Sequence, residues 1–247
     1  MFTTIEAVEV FHLLFLSFLG RKADKRAYAL KGGCNLRFFF HSPRYSEDMD
    51  LDISGIPVFK LREVVNAILE SVPFAQALAI HRVRIDHITE HKQSETTQRW
   101  KLGLSIPGEQ PIPTKVEFSR RGLRDDSVFE RIHPEILDRY RLAPFLCSHY
   151  PAWVACRQKI EALATRAVPQ ARDVFDLWLL GTEERVRQAR AALDPGVREA
   201  AATNLASLSF DHFRGQVLPY LKPGEQDAYA SADVWEHMQL ELMERLS

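Results

Sequence analysis

Lys31-Gly32-Gly33-Cys34-Asn35-Leu36-Arg37, followed by Ser46-Glu47-Asp48-Met49-Asp50-Leu51-Asp52-Ile53, is the stretch whose reading decides the fold. The short apolar run Ala27 to Leu30 leads into the paired glycines as a strand feeds a turn. Cys34 to Phe40 suits a short helix opening at those glycines, with Leu36, Phe39 and Phe40 at helical spacing. The proline-containing loop His41 to Ser46 ends it, because the residue before a proline is pushed out of the helical region. Asp48 to Ile53 then alternates, with Met49, Leu51 and Ile53 on one strand face and Asp48, Asp50 and Asp52 on the other.

Upstream, Thr3 to Leu19 reads as a helix ended by Gly20 and a polar run. Its apolar stretch Val10 to Leu19 is too short to span a bilayer and follows Glu6 and Glu9 rather than a basic leader, so a buried helix is expected and no membrane association. Downstream, Lys60 to Ser71 looks helical, and three strands follow around Val83 and Ile85, Trp100 to Ile106, and Ile112 to Phe118. From about Pro134 the pattern is helical to the end, with breaks near Pro151, Pro169, Gly181, Asp194-Pro195 and Pro223-Gly224. Thr182 and Asp194 suit helix N-caps, and Pro195 a first helical position. A sheet in the first half and helices in the second define an α+β class, divided at about residue 130 into a 1–130 core and a 131–247 helical domain.

The 247 residues are 46% hydrophobic and 26% charged, the balance of a globular protein with a substantial core. A formal net charge of −1 excludes a global positive field, so any RNA contact would rest on a local patch such as Arg185, Arg187, Arg190 and Arg198. A solvated helix face accounts for the same arginines. Cys34, Cys147 and Cys156 are widely spaced and form no C-x-x-C pair, which suits a reducing cytoplasm.

Asp48 and Asp50 stand two apart on one strand, so their carboxylates point the same way from Cα atoms roughly 6.5 Å apart. That spacing lets both reach one Mg²⁺, a hard ion that takes one or two carboxylates plus substrate phosphates. An exposed face whose acids merely repel one another has the same pattern, and Asp52, one repeat further on, reads as a solvent residue. Gly32 and Gly33 give backbone N–H groups room to approach an anion, or simply form a tight turn. Lys31 would neutralise a phosphate or face water. Lys115 and Glu117 project together from a later strand, as a phosphate contact and a third metal-site acid if it neighbours the aspartate strand, or as a cross-strand ion pair. Lys159, Asp173 and Asp176 lie on helices beside much apolar surface, where charges persist only when paired, and a salt bridge between the two helices accounts for them as well. The zinc pattern in His87-Ile88-Thr89-Glu90-His91 needs a helix, whereas its flanks read as strand and set the histidines roughly 13 Å apart. No zinc site is expected there.

The glycine turn, Leu36-Arg37 and Ser42-Pro43-Arg44-Tyr45-Ser46-Glu47-Asp48-Met49-Asp50-Leu51 together resemble the AbiEii-type nucleotidyltransferase toxins, of the DNA polymerase β-like nucleotidyltransferase superfamily. Lys115-Val116-Glu117-Phe118 resembles that family's later acidic strand. Lys159 to Leu163, with Arg172-Asp173-Val174-Phe175-Asp176-Leu177, resembles its helical motif. The resemblance implies Mg²⁺-dependent transfer of a nucleotide from an NTP such as ATP, in relatives to tRNA 3′ ends, by a toxin paired with an antitoxin protein. It makes Asp48, Asp50, Lys159 and Asp173 catalytic, with Asp48, Asp50 and Glu117 at the metal. Lys31, Gly32, Gly33, Ser46 and Lys115 fall on the nucleotide. The alternative is a non-catalytic nucleotide- or protein-binding module that keeps the fold. Cys34 departs from the Ser or Thr that the superfamily often places after the glycines, and a thiol is a weak donor.

Overall fold

A computed structural model describes residues 3–123 and 127–246. The chain forms two compact units. The first holds the residues up to Phe39 with Tyr45–Tyr150, and the second holds Phe40–Arg44 with the chain from Pro151 onward.

In the first unit, helix α1 (Thr4–Lys22) starts at a capping box in which Thr3 accepts from the Glu6 amide and Glu6 reaches back to Thr3. It runs past Gly20 and buries Phe11, Phe15, Leu16 and Leu19, each apolar side chain contributing about 1.5–3 kcal/mol by leaving water. Strand β1 (Tyr28–Lys31) then feeds helix α2 (Gly32–Phe39), and β2 (Asp48–Ile53) follows the loop. Helices α3 (Val58–Leu69) and α4 (Val72–Ile80) come next, then β3 (Arg84–Gln93), β4 (Thr97–Ser105) and β5 (Ile112–Ser119). The unit closes with β6 (Val128–Arg131), α5 (Pro134–Arg139) and β7 (Leu146–His149).

Among the described residues these strands make one seven-stranded mixed sheet in the order β3-β4-β5-β2-β1-β7-β6. β2 pairs antiparallel with β1 and parallel with β5, which sets Asp48 beside Lys115 and Asp50 beside Glu117. Met49, Leu51 and Ile53 face the core with Trp100, Val116 and Phe118, as the alternation predicts.

Besides the helix end expected at Gly20, which α1 passes, further expectations are corrected or extended. The chain does not stay helical beyond Pro134, because Leu146–His149 joins the sheet as β7 beside β1. Helix α4 was not anticipated, although Ser71 caps it by accepting from the Phe74 amide. Helix α2 ends at Phe39, so Phe40 lies outside it; Phe38 is buried, and Phe39 stacks on His149 with centroids 3.5 Å apart. Asp52 is not a solvent residue, being only 6% exposed. His87 and His91 do lie on strand β3, and a side chain at Gly103 would collide with the His87 ring.

The second unit consists of α6 (Ala152–Thr165), α7 (Ala171–Leu180), α8 (Glu183–Ala191), α9 (Pro195–Ala206), α10 (Phe210–Gln216), a 3₁₀ turn at Leu218–Tyr220, α11 (Pro223–Gln226) and α12 (Ala232–Leu246). The predicted breaks fall at its helix boundaries, and Thr182 and Asp194 cap α8 and α9 as their side chains suggest. Phe175, Phe213 and Trp235 form its aromatic centre, with Phe213 stacked on Trp235 at 5.0 Å. Arg187 of α8 pairs with Glu184, while Arg185 and Arg190 donate to the Leu180 and Arg245 carbonyls. Among the described residues no single helix is long and apolar enough to cross a membrane.

Candidate active site

The acidic face in the first unit follows from strand register. Residues opposite one another in neighbouring strands share a face, so Arg99, Glu117, Asp50 and Lys31 form one row across β4, β5, β2 and β1. Lys101, Lys115 and Asp48 form the next. Lys115 Nζ lies 3.1 Å from Asp48 Oδ2 and 3.9 Å from Glu117 Oε2, and Arg99 Nε donates to Glu117 Oε2 at 2.6 Å. Lys115 with Asp48 and Arg99 with Glu117 thus make cross-strand ion pairs, while Lys115 and Glu117 neighbour one another along β5. Asp50 differs. Its carboxylate makes no hydrogen bond or ion pair among the described residues. Burial pushes its pKa up, Lys115 draws it down, and Glu117 adds to the upward push.

The glycine turn presses on that same carboxylate. Gly32 sits at φ +66°, and a Cβ there would meet Asp50 Oδ2 at 3.3 Å. Glycine is required twice over, for the left-handed backbone and for the approach. Gly33 follows as the second residue of α2, so the helix's first amides open beside the acids. Gly32→Ala is expected to cost about 1–2 kcal/mol from left-handed strain alone. Gly33, outside the left-handed region, carries no such strain. Urea melts of the two alanine variants check the contrast, and equal losses would contradict it.

Lys31 and Ser46 flank this face but are already engaged. Lys31 Nζ bonds Asp52 Oδ1 at 2.5 Å, and Asp52 Oδ2 accepts from the Tyr150 hydroxyl at 2.8 Å, which explains why Asp52 is buried. Ser46 Oγ donates to the Asp48 carbonyl at 2.8 Å. Cys34 is buried with its thiol against the Asp48 carbonyl at 3.4 Å and His12 Nδ1 at 3.5 Å, and burial pushes its pKa well up. Arg99 was not singled out from the sequence. Its alternation with the apolar Trp100 was visible, but its place opposite Glu117 is a matter of register.

Asp48, Asp50 and Glu117 offer hard oxygen donors on adjacent strands, and the Asp50 carboxylate pairs directly with no cation among the described residues. A divalent cation that favours oxygen fits this donor set.

Lys159 and Asp173 belong to the second unit, where they build a separate buried cluster. Lys159 Nζ on α6 lies 2.8 Å from Asp173 Oδ1 and 2.7 Å from Asp176 Oδ2 on α7. Arg44 grips Asp176 through Nε at 3.0 Å and Nη2 at 2.7 Å, and Arg166 Nε reaches Asp173 Oδ2 at 2.8 Å. Burial favours neutral Asp176, yet Arg44 and Lys159 outweigh it and hold its pKa at about 2. Burial likewise opposes the charge on Lys159, and the two aspartates more than restore it, so its pKa is raised. The salt bridge between helices that the sequence allowed is present, extended by two arginines.

A glycine turn thus opens a helix against a strand with two same-face aspartates, and a parallel neighbouring strand adds a third acid. Comparison with known proteins gives the class. The family model described as nucleotidyl transferase AbiEii toxin, type IV TA system, matches residues 14–244. The chain therefore belongs to the AbiEii nucleotidyltransferase toxin family and is a nucleotidyltransferase. Among solved structures, JHP933 from Helicobacter pylori shares the fold at TM-score 0.60 and 16% identity, over 100% of this chain and 91% of its own. MenT4, a nucleotidyltransferase toxin from Mycobacterium tuberculosis, does so at TM-score 0.57 and 15% identity, over 98% of this chain and 84% of its own. No curated protein matches the chain in sequence.

Proposed function

We propose that this protein moves a nucleotide from an NTP to the 3′ end of a tRNA, with Mg²⁺ held at Asp48 and Asp50 and assisted by Glu117. The observation that carries this reading is the unpartnered Asp50 carboxylate, set between Asp48 and Glu117 and pressed against the Gly32 turn. Mg²⁺, when bound, supplies charge neutralisation at the phosphates. Gly32 and Gly33 offer backbone N–H groups to the triphosphate, and Lys115 offers a cation that can turn from Asp48 to a phosphate oxygen. Lys31, paired with Asp52 in the structure, would add positive charge beside the turn, and Ser46 fixes the Asp48 carbonyl. The acceptor hydroxyl oxygen forms the new bond to the α-phosphorus in line, pyrophosphate leaves with the electron pair of the broken bond, and the hydroxyl proton passes to solvent. Lys159 and Asp173 enter as catalytic residues through the family motif they match. As the toxin of a toxin–antitoxin pair, the protein would act in the cytoplasm, where tRNA and NTPs are found, and be countered by an antitoxin protein.

The acceptor is tested with tRNA, Mg²⁺ and each α-labelled NTP, comparing intact tRNA with periodate-oxidised tRNA that lacks a 3′ diol. Label on intact tRNA alone is expected, with little transfer by Lys159→Ala. Equal labelling of oxidised tRNA, or none on RNA with any NTP, would overturn the acceptor assignment.

A further inference from the structure

Behind the acidic face lies a polar chain that the nucleotidyl-transfer reading does not use. His12 on α1 is 1% exposed and Cys34 on α2 1%, and Thr114 on β5 is 5% exposed. His12 Nε2 lies 3.0 Å from Thr114 Oγ1, and His12 Nδ1 lies 3.5 Å from Cys34 Sγ. Thr114 Oγ1 donates to the Glu47 carbonyl at 2.7 Å, one residue before Asp48.

The protons can be assigned by elimination. Thr114 has one hydroxyl proton, and it goes to Glu47. Toward His12 the hydroxyl oxygen is therefore the acceptor, so Nε2 carries the ring proton. A neutral imidazole then has a bare lone pair on Nδ1. Burial holds the ring neutral, its pKa lowered to about 3. Among the described residues the Cys34 thiol faces two acceptors, the Asp48 carbonyl at 3.4 Å, which also accepts from Ser46, and the bare Nδ1 at 3.5 Å. The chain therefore runs one way from the ring, His12 to Thr114 and Thr114 to the Glu47 carbonyl, while the Cys34 thiol packs against both Nδ1 and the Asp48 carbonyl. Each member orders the next.

We infer that His12, Cys34 and Thr114 form a directional brace that positions the Glu47–Asp48 backbone, and with it the Asp48 carboxylate, for metal binding. They are positioning residues, since none touches the reacting atoms. Cys34 fits because its bulky, weakly donating thiol touches both His12 Nδ1 and the Asp48 carbonyl, joining the ring to the backbone it braces. The inference rests on the metal reading proposed above.

Two measurements test it. Nitrogen-15 NMR of the labelled full chain should show His12 as a single Nε2-protonated neutral tautomer, unchanged between about pH 5 and 8. The Nδ1 tautomer, an averaged mixture or an imidazolium would overturn it. In the second, Mn²⁺ is titrated into the protein and the free-ion electron paramagnetic resonance signal is followed. Thr114→Val, which keeps the shape and removes the hydroxyl, is expected to weaken Mn²⁺ binding about 10-fold or more, as loss of a residue that supports a metal ligand does, and Thr114→Ser to restore it. Thr114→Val binding Mn²⁺ like the wild type overturns the brace alone. A wild-type protein that binds no Mn²⁺ overturns the metal reading and the brace with it.

Discussion

Asp50→Asn is expected to lower nucleotidyl transfer about a thousandfold while making the metal-free protein more stable. Metal-assisted charge neutralisation is worth several kcal/mol at the transition state, and each 1.36 kcal/mol is tenfold in rate. The stability gain follows from the raised pKa, whose first cause is burial. Between the ordinary aspartate pKa and the raised one, the folded state holds more protons than the unfolded chain, so stability falls as pH rises through that window. Above it the ionised carboxylate is a standing cost, which the amide removes. Thermal melts at neutral pH without divalent ions should show a higher melting temperature for Asp50→Asn, with the difference shrinking as Asp50 protonates in acid. A variant that is inactive and also less stable would mean that Asp50 holds the fold rather than the ion.

Asp176→Ala has the opposite signature. Its carboxylate is completely buried and neutralises both Arg44 and Lys159. Removing one partner of such a cluster strands the remaining charges, so a loss of about 3–5 kcal/mol is expected in denaturant melts. The contribution also has a defined pH range. Held at about 2 when folded, against about 4 in an unfolded chain, the carboxylate stabilises fully above about pH 4. That stability is lost as pH falls toward 2. Wild type and Asp176→Ala should therefore converge in stability in strong acid and diverge above it. A constant gap across that range would remove the ion pairs as its cause.

Much of this was legible in the sequence, for physical reasons that differ from residue to residue. The Gly32-Gly33 turn, the Asp48 to Ile53 alternation and the Thr182 and Asp194 caps are local signals, set by backbone sterics and side-chain periodicity within a few residues. β7 was not legible, because four residues with no clear alternation become a strand only by pairing with β1, far away in the chain. Asp52 was misjudged for the same reason: its burial depends on Tyr150. Helix α4 left signals, Ser71 and Pro73 at its start, that its uncharged composition masked. The motif reading supplied Lys115 and Glu117, but only the register of β2 with β5 sets them beside Asp48 and Asp50. The His12 brace is a product of three elements meeting, and no spacing in the chain announces it.

The central claim is that the α-phosphorus of an NTP moves to RNA under metal control at Asp48 and Asp50. Parallel reactions of wild-type protein and tRNA with α-labelled or γ-labelled NTP, with and without Mg²⁺, test it most directly. Label from the α-phosphate should reach RNA only with Mg²⁺, label from the γ-phosphate should appear as pyrophosphate, and Asp48→Ala should do neither. Transfer of the γ-label, or α-label transfer that persists without divalent ions or in Asp48→Ala, would contradict it.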